Sequence, residues 1–336
     1  MSRLRLPAPA GLLVAVLLLA TAGVAEAAPQ PSSGYVGVSV ATVWTSPTSP
    51  RPVDQKALTD PVDIPGWLAD MTPHEQEGLT DDNLTQTQAL YGQRVEILGT
   101  QGDWYEVAVP GQPNPKNPLG YPGWIPRSQV RTDPAFGALV ASRPFALVDK
   151  AVTARLYADQ ALHRPALEIS VNTRLPLLAR TPGALLLGTP DGPRWLSDDV
   201  AEVYASDAAI PAPTGADLVR FASLFVGTDY LWAGRSGFGV DCSGFTSTIY
   251  QVHGITIPRD SGPQSASPAA HKVDRADLQP GDLLFYARDN GTGSIHHVAM
   301  YTGDGMMIEA YDHLTPVRIT PARFDAEYWG AVRYLP

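Results

Sequence analysis

A single cysteine, Cys242, is the strongest constraint that the sequence places on the fold of this 336-residue chain. One thiol cannot form an internal disulfide, so packed side chains and backbone hydrogen bonds must hold the native structure together. The composition permits this, because 44% of the residues are hydrophobic and 17% are charged. A chain of this length is expected to form about two or three domains. We therefore expect several packed domains without cross-links, in which the one thiol needs a chemical explanation.

The amino-terminal segment predicts export. Residues 1–27 begin with two arginines, continue into an apolar run at 11–20, and end in the small-residue pattern Ala25-Glu26-Ala27. This is the pattern of a secretory signal peptide, and its apolar part is too short for a stable membrane span. No cysteine follows that could carry a lipid anchor, and no later stretch reaches membrane-spanning length. We expect an exported protein, periplasmic or secreted, without stable membrane insertion.

The charge of the chain argues against some partners. The formal net charge is −10 at pH 7, whereas binding to nucleic acid depends on a basic surface that neutralises phosphates. No close pair of histidines is accompanied by a second cysteine or a carboxylate cluster at metal-ligand spacing. We therefore expect no nucleic-acid partner, no metal and no other cofactor.

Two stretches before the proline-rich linker at 207–214 are predicted to be small β-barrels. Residues 28–135 alternate in the manner of short strands, with a polar insertion at 53–83 that includes a helical turn near 67–71. Residues 136–206 repeat this theme more loosely. The predicted strands lie at 35–44, 94–99, 104–109, 120–126 and 128–130 in the first stretch, and at 151–157, 174–179, 184–189 and 194–196 in the second.

Residues 215–336 are predicted to be a domain of the α+β class. Apolar residues recur at helical spacing over 216–225, and Cys242 opens a second helical stretch. Strands follow at 283–286, 298–301 and 306–309, of which the last two are joined by the hairpin turn Thr302-Gly303-Asp304-Gly305. A helix that carries a nucleophile, followed by antiparallel strands that carry its base, is the papain-like plan.

Cys242 is interpreted as a nucleophile and His297 as its base. A thiol attacks as thiolate, and its pKa is expected to fall at a helix N-terminus beside an imidazolium. The imidazole would accept the thiol proton and later donate it to the leaving amine. His296 would point to the opposite face of the strand. The alternative for Cys242 is a buried small hydrophobic residue without chemistry.

Five ordered motifs resemble the NlpC/P60 superfamily of cell-wall cysteine peptidases over residues 215–336. They are Tyr230-Leu231-Trp232-Ala233-Gly234, Asp241-Cys242-Ser243-Gly244-Phe245, Pro258-Arg259-Asp260-Ser261 followed by Gln264, Leu278-Gln279-Pro280-Gly281-Asp282-Leu283, and His297-Val298 before Met300-Tyr301. The resemblance implies a papain-like NlpC-type catalytic domain preceded by two small all-β SH3-like barrels. Ala233 is a departure, because the family commonly has glycine there.

The resemblance also implies how the reaction is catalysed. The backbone N–H of Cys242 and the hydroxyl of Tyr230 would bind the oxyanion, and Asp241 and Ser243 would line the substrate site.

The third member of the expected catalytic set departs from the family pattern. Glu309 stands where the family usually has a histidine that orients the base. A carboxylate can also accept the second imidazole N–H, as the aspartate of serine triads does. We predict a Cys242–His297–Glu309 triad in which Glu309 raises the pKa of His297 relative to a neutral partner. The alternative is a solvent-facing Glu309, with Asp312 orienting the base.

The substrate is suggested by Asp260 and Ser261, which resemble a subgroup that recognises a free amino terminus. In that subgroup an aspartate pairs with the ammonium of L-alanine in L-Ala-γ-D-Glu-diamino acid peptides. Asp260 is an equally good candidate for the cap of a helix that begins at Ser261. Gly120-Tyr121-Pro122-Gly123-Trp124 resembles the barrel segment that closes one end of the cleft, with Tyr121 as the contact. Tyr121 and Trp124 could instead be barrel core.

The implied reaction is hydrolysis of the γ-D-glutamyl–L-diamino acid bond of murein stem peptides with a free amino-terminal L-Ala. The expected partners are murein stem peptides or peptidoglycan fragments. Two alternatives stay open, namely an endopeptidase or amidase that acts on intact peptidoglycan and a catalytically silent wall-binding protein.

Overall fold

The computed structural model describes residues 32–336, together with Met1 and Leu4. The predicted signal peptide at 1–27 lies outside the described residues apart from those two positions. None of the described helices combines the length and the apolar character that crossing a bilayer requires.

The first unit is an antiparallel sheet of seven strands in the order β3-β2-β6-β5-β4-β1-β7. Its strands are β1 (Ser32–Val36), β2 (Val40–Trp44), β3 (Thr85–Leu90), β4 (Arg94–Gln101), β5 (Trp104–Val109), β6 (Tyr121–Pro126) and β7 (Val130–Arg131). The stretch predicted as one strand at 35–44 is two strands, because Gly37-Val38-Ser39 breaks it.

The insertion between β2 and β3 is more helical than its sequence predicts. It contains a 3-10 helix at Pro52–Ala57, α1 (Ile64–Asp70) and α2 (Pro73–Asp81). Thr72 and Glu75 form a reciprocal capping box at the start of α2. The short α2 buries little besides Leu79, which explains why its apolar periodicity is weak.

The second unit repeats the strand order of the first, as β10-β9-β13-β12-β11-β8-β14. It follows α3 (Pro134–Ser142), a helix that the sequence did not predict and that crosses the expected boundary at 135/136. Its strands are β8 (Phe145–Val148), β9 (Thr153–Tyr157), β10 (Pro165–Ser170), β11 (Arg174–Thr181), β12 (Ala184–Leu187), β13 (Arg194–Ser197) and β14 (Ala201–Tyr204). In both units the two outermost strands are not paired with each other among the described residues, so the sheets are open and the expectation of closed barrels is corrected.

The third unit joins helices to an antiparallel sheet of six strands in the order β17-β22-β18-β19-β20-β21. The helices are α4 (Gly215–Ala222), α5 (Cys242–Val252) and α6 (Ser261–Ser265), and a small ribbon is formed by β15 (Arg235–Ser236) and β16 (Gly239–Val240). The sheet strands are β17 (His271–Val273), β18 (Leu283–Ala287), β19 (Ile295–Gly303), β20 (Met306–Glu309), β21 (Arg318–Pro321) and β22 (Tyr328–Arg333). This is the α+β arrangement that the sequence predicts, with α5 packed on the apolar face of the sheet.

The three units share their cores. Leu147 and Val171 of the second unit belong to the apolar cluster around α5. Leu231 of the third unit belongs to a cluster of the first unit that includes Trp44 and Trp67. Since apolar burial is the main favourable contribution to folding, these shared clusters fix the two β units against the third unit.

Candidate active site

Cys242 is the first residue of α5 and lies on the floor of a cleft with a volume of about 750 Å³. Asp241 caps the helix, because its Oδ1 accepts the N–H of Gly244 at 2.6 Å. Burial, together with the smaller effect of the nearby Asp241 carboxylate, raises the pKa of the Cys242 thiol to about 12, although the N–H of Val298 opposes both. The expectation of a lowered thiol pKa is therefore corrected: burial outweighs the helix N-terminus.

The imidazole of His297 projects from β19, and the side chain is 4% exposed. Its Nε2 lies 2.9 Å from Oε2 of Glu309, which leaves Nδ1 as the ring nitrogen that can accept a proton from the thiol. Burial lowers the pKa of His297, and Glu309 opposes that shift without reversing it. At neutral pH the pair therefore rests as a neutral thiol and a neutral imidazole.

Glu309 projects from β20 and is fully buried, at 0% exposure. Arg323 forms a bidentate contact with the carboxylate of Glu309, in which Nη1 donates to Oε1 at 2.8 Å and Nη2 donates to Oε2 at 2.9 Å. Arg318 also donates to Oε1. Burial alone would raise the pKa of Glu309, but the hydrogen bonds from His297 and Arg323 outweigh it and lower the pKa to about 2. The solvent-facing alternative for this residue does not match the structure. The carboxylate of Asp312 instead accepts bonds within its own loop, from Leu314 and Thr315.

Tyr230 lines the same cleft, beside the β-bridge that pairs it with Val240. Burial raises its pKa well above the usual value, and the nearby Cys242 adds to this shift, so the hydroxyl stays protonated and able to donate. Ala233, three residues on, has φ of +63°, in the left-handed region that favours glycine. The glycine that the family commonly has at this position is therefore the residue that this backbone prefers.

Asp241 and Ser243 are held by a buried arginine that the sequence analysis did not single out. Arg259, at 1% exposure, donates to Oδ2 of Asp241 at 2.8 Å and to Oγ of Ser243 at 3.0 Å. Its Nε donates to Thr87 of the first unit at 3.0 Å. Both Asp241 oxygens thus have protein partners, although Asp241 and Ser243 still line the cleft. The sequence feature that could have indicated this contact is Arg259 itself, a charged residue within the motif Pro258-Arg259-Asp260-Ser261.

In the same cleft, Tyr121 connects the first unit to the third. Its ring is buried in the core of the first unit, and its hydroxyl lies 2.8 Å from Oδ2 and 3.1 Å from Oδ1 of Asp260. The ring of Tyr121 is therefore core, while its hydroxyl reaches Asp260, and a contact between Tyr121 and the substrate stays a prediction. The Asp260 side chain does not cap α6, and Ser261 begins that helix and lines the cleft. The capping alternative for Asp260 is therefore not what the structure has.

Comparison with known proteins gives matches across the chain. Residues 227–333 match the NlpC/P60 family, and residues 150–204 match the YKFC SH3b2 domain. A protein of Bacillus cereus named gamma-D-glutamyl-L-lysine dipeptidyl-peptidase is 48% identical over 91% of this chain and 92% of its own length. A protein of Bacillus subtilis with the same name is 39% identical over 81% of this chain and 88% of its own length. The crystal structure of an NlpC/P60 family protein from Bacillus cereus superposes with a TM-score of 0.86 at 47% identity, covering 91% of this chain and all of the other.

Proposed function

From the premise that this chain belongs to the NlpC/P60 family of peptidases, we propose that it is a cysteine peptidase. Its proposed reaction is hydrolysis of the γ-D-glutamyl–L-diamino acid bond in murein stem peptides that have a free amino-terminal L-Ala. The two Bacillus relatives are named as dipeptidyl-peptidases, which supports cleavage after the second residue. We also propose that the first β unit is a second SH3-type domain, since it has the strand order of the matched one, and that residues 1–27 direct export to the wall.

The observation that carries this proposal is the chain of contacts along one cleft. Cys242 and Tyr230 line it, and the proposed base His297 is bonded to Glu309. Asp260 lines the same cleft and is bonded to Tyr121 of the first unit. A carboxylate there suits an ammonium group, and the first unit, if it closes the cleft at this point, would exclude a longer amino-terminal chain.

The residues divide the reaction into two displacements. Nδ1 of His297 takes the thiol proton while the sulfur of Cys242 attacks the γ-carbonyl carbon of D-Glu. The backbone N–H of Cys242 and the hydroxyl of Tyr230 bind the resulting oxyanion. The C–N bond then breaks, and the imidazolium donates its proton to the departing α-amine of the diamino acid. Water, deprotonated by the same imidazole, cleaves the thioester, and the thiol and L-Ala-D-Glu are released.

A paired-substrate assay tests the proposal. The mature protein is incubated with L-Ala-γ-D-Glu-L-Lys, its diaminopimelate counterpart and their N-acetylated forms, and products are followed by mass spectrometry. We expect L-Ala-D-Glu from the free peptides and at least about tenfold lower kcat/KM for the acetylated ones, the cost of one lost charge pair. A Cys242→Ala variant should be inactive.

Two outcomes would contradict the proposal in different ways. Equal turnover of free and acetylated peptides would remove the free-amine requirement. Absence of turnover together with binding to sacculi would favour a wall-binding protein.

A further inference from the structure

The loop between β5 and β6 carries Lys116, whose side chain lines the cleft together with Tyr121 and Asp260. Nζ of Lys116 donates to the hydroxyl of Tyr121 at 2.8 Å and to Oε1 of Gln86 at 2.6 Å. It also lies 4.6 Å from the centroid of the Tyr121 ring, within the range of a cation–π contact. The same hydroxyl contacts Asp260, so Lys116 is one hydroxyl group away from that carboxylate.

The loop that carries Lys116 is held in place at its base. The side-chain oxygen of Asn114 accepts the N–H of Lys116 at 2.8 Å and that of Asn117 at 3.0 Å, which forms an Asx-type turn. The carbonyl of Pro113 accepts the N–H of Arg259 at 3.0 Å and ties the loop to the third unit. The backbone at Lys116 is therefore positioned, while its exposed four-carbon stem stays free to change rotamer.

Near Lys116, the carboxylate of Asp260 would have to serve both the lysine ammonium and the ammonium group of a bound peptide. Asp241 is engaged by Arg259, and the other acidic residues that line the cleft besides Asp260 are Glu77 and Asp81 of α2 and Asp312. A peptide ammonium placed against Asp260 would lie close to Lys116, and two like charges at about 4–6 Å repel each other appreciably at the dielectric of a protein surface.

We infer that Lys116 is a specificity-determining residue that, bonded to Tyr121, borders the ammonium subsite of Asp260 in the free enzyme and must swing away when a peptide with a free amino terminus binds. This inference rests on the proposed function, because it concerns the same subsite. Displacing Lys116 costs free energy, which offsets part of the attraction between the peptide ammonium and Asp260. Free-amine peptides therefore bind more weakly than they would without Lys116. A peptide with a neutral amino terminus leaves Lys116 in place.

The test compares kinetics of Lys116→Met, which keeps side-chain length without the charge, with those of the wild type. We expect KM for L-Ala-γ-D-Glu-L-Lys to fall about threefold to tenfold at unchanged kcat, the range of a weak to moderate like-charge contact. KM for the N-acetylated peptide should not fall. Lys116→Arg retains the charge and should not show the decrease. Lys150→Met removes an exposed lysine of the second unit, which pairs with Glu202, and serves as the surface control.

An unchanged KM in Lys116→Met would overturn the inference, and a raised KM would assign Lys116 to binding the peptide rather than competing with it. Asp260→Asn separates this result from the proposed function. If the wild type turns over free and acetylated peptides equally and Asp260→Asn changes neither, the free-amine proposal itself fails. If the wild type discriminates and Asp260→Asn abolishes that discrimination while Lys116→Met has no effect, only the role of Lys116 is rejected.

Discussion

At the scale of single residues, Glu309 stands where the resemblance leads one to expect a histidine, and its surroundings bear on whether a carboxylate can orient the proposed base. A fully buried carboxylate without partners would take up a proton and lose its ability to stabilise an imidazolium. The paired bonds from Arg323 keep Glu309 ionised. Burial is the main cause of the lowered pKa of His297, and the charge of the same arginine adds to it, whereas Glu309 opposes it.

Glu309→Gln should lower kcat and change the pH profile. The carboxylate opposes the burial that lowers the pKa of His297, so its removal should lower that pKa further and move the acidic limb of kcat/KM to lower pH. We expect a kcat loss of at least about tenfold, below the roughly 10⁴-fold cost in a serine triad. Glu327→Gln, which alters the contact with His296, is the matched control. Unchanged kcat and an unshifted acidic limb would remove Glu309 from the triad.

Ala233→Gly should stabilise the protein. The left-handed backbone at this position costs an L-residue about 1–2 kcal/mol, and glycine removes that cost while adding about 0.5–1 kcal/mol of unfolded-chain entropy. The free energy of unfolding, measured by urea denaturation, should rise by about 0.5–1 kcal/mol. Ala222→Gly, at the end of α4, should instead lower it. A loss of stability in Ala233→Gly would show that the methyl group makes contacts worth more than the backbone strain.

At the scale of helices and strands, the sequence predicted best those elements that are marked by a local residue pattern, such as a helix start or a tight turn. The start of α5 follows from the capping residue Asp241, and the hairpin between β19 and β20 follows from its glycine turn. The helices α2 and α3 were missed because each buries a single side chain. The edge strands β17 and β21 were missed because they are largely exposed and are defined by pairing with β22 and β20.

Gly244→Ala should disrupt the start of α5. An added Cβ would lie 2.0 Å from the carbonyl oxygen of Gly234, a backbone atom that cannot move aside alone. We expect a loss of at least about 2 kcal/mol in unfolding free energy, and reduced kcat because Cys242 shifts with the helix. Gly262→Ala is the control for the added methyl group, because nothing lies within 4 Å of its Cβ position. Equal stabilities for the two variants would contradict the close approach of α5 and Gly234.

At the scale of the whole molecule, the site is assembled from units that are far apart in the chain. The residues proposed to be catalytic, Cys242, His297 and Glu309, could be found from motifs within one unit. The bond from Arg259 to Thr87 could not, because it depends on how the first unit packs on the third. The same applies to Gln251, which contacts Asn172 of the second unit and Gly111 of the first.

The described units should unfold in a single transition. Apolar clusters cross both boundaries, and Gly237 approaches Val152 so closely that an added Cβ would lie 1.7 Å from its carbonyl oxygen. We therefore expect coincident thermal transitions by calorimetry, far-UV circular dichroism and tryptophan fluorescence. Gly237→Ala should lower the common midpoint by several degrees, as expected for about 1–3 kcal/mol of overpacking. Two resolved transitions in the wild type would mean that the β units are independent domains.

Because Cys242 is the only cysteine of the chain and carries a free thiol, chemical labelling of thiols reports on this one position. Cys242 is 7% exposed on the floor of the cleft, so a thiol-selective alkylating reagent can add one label per chain, and only through the opening that a peptide would use. The fraction of chains that gain one label, read from intact mass, reports the molar amount of accessible nucleophile.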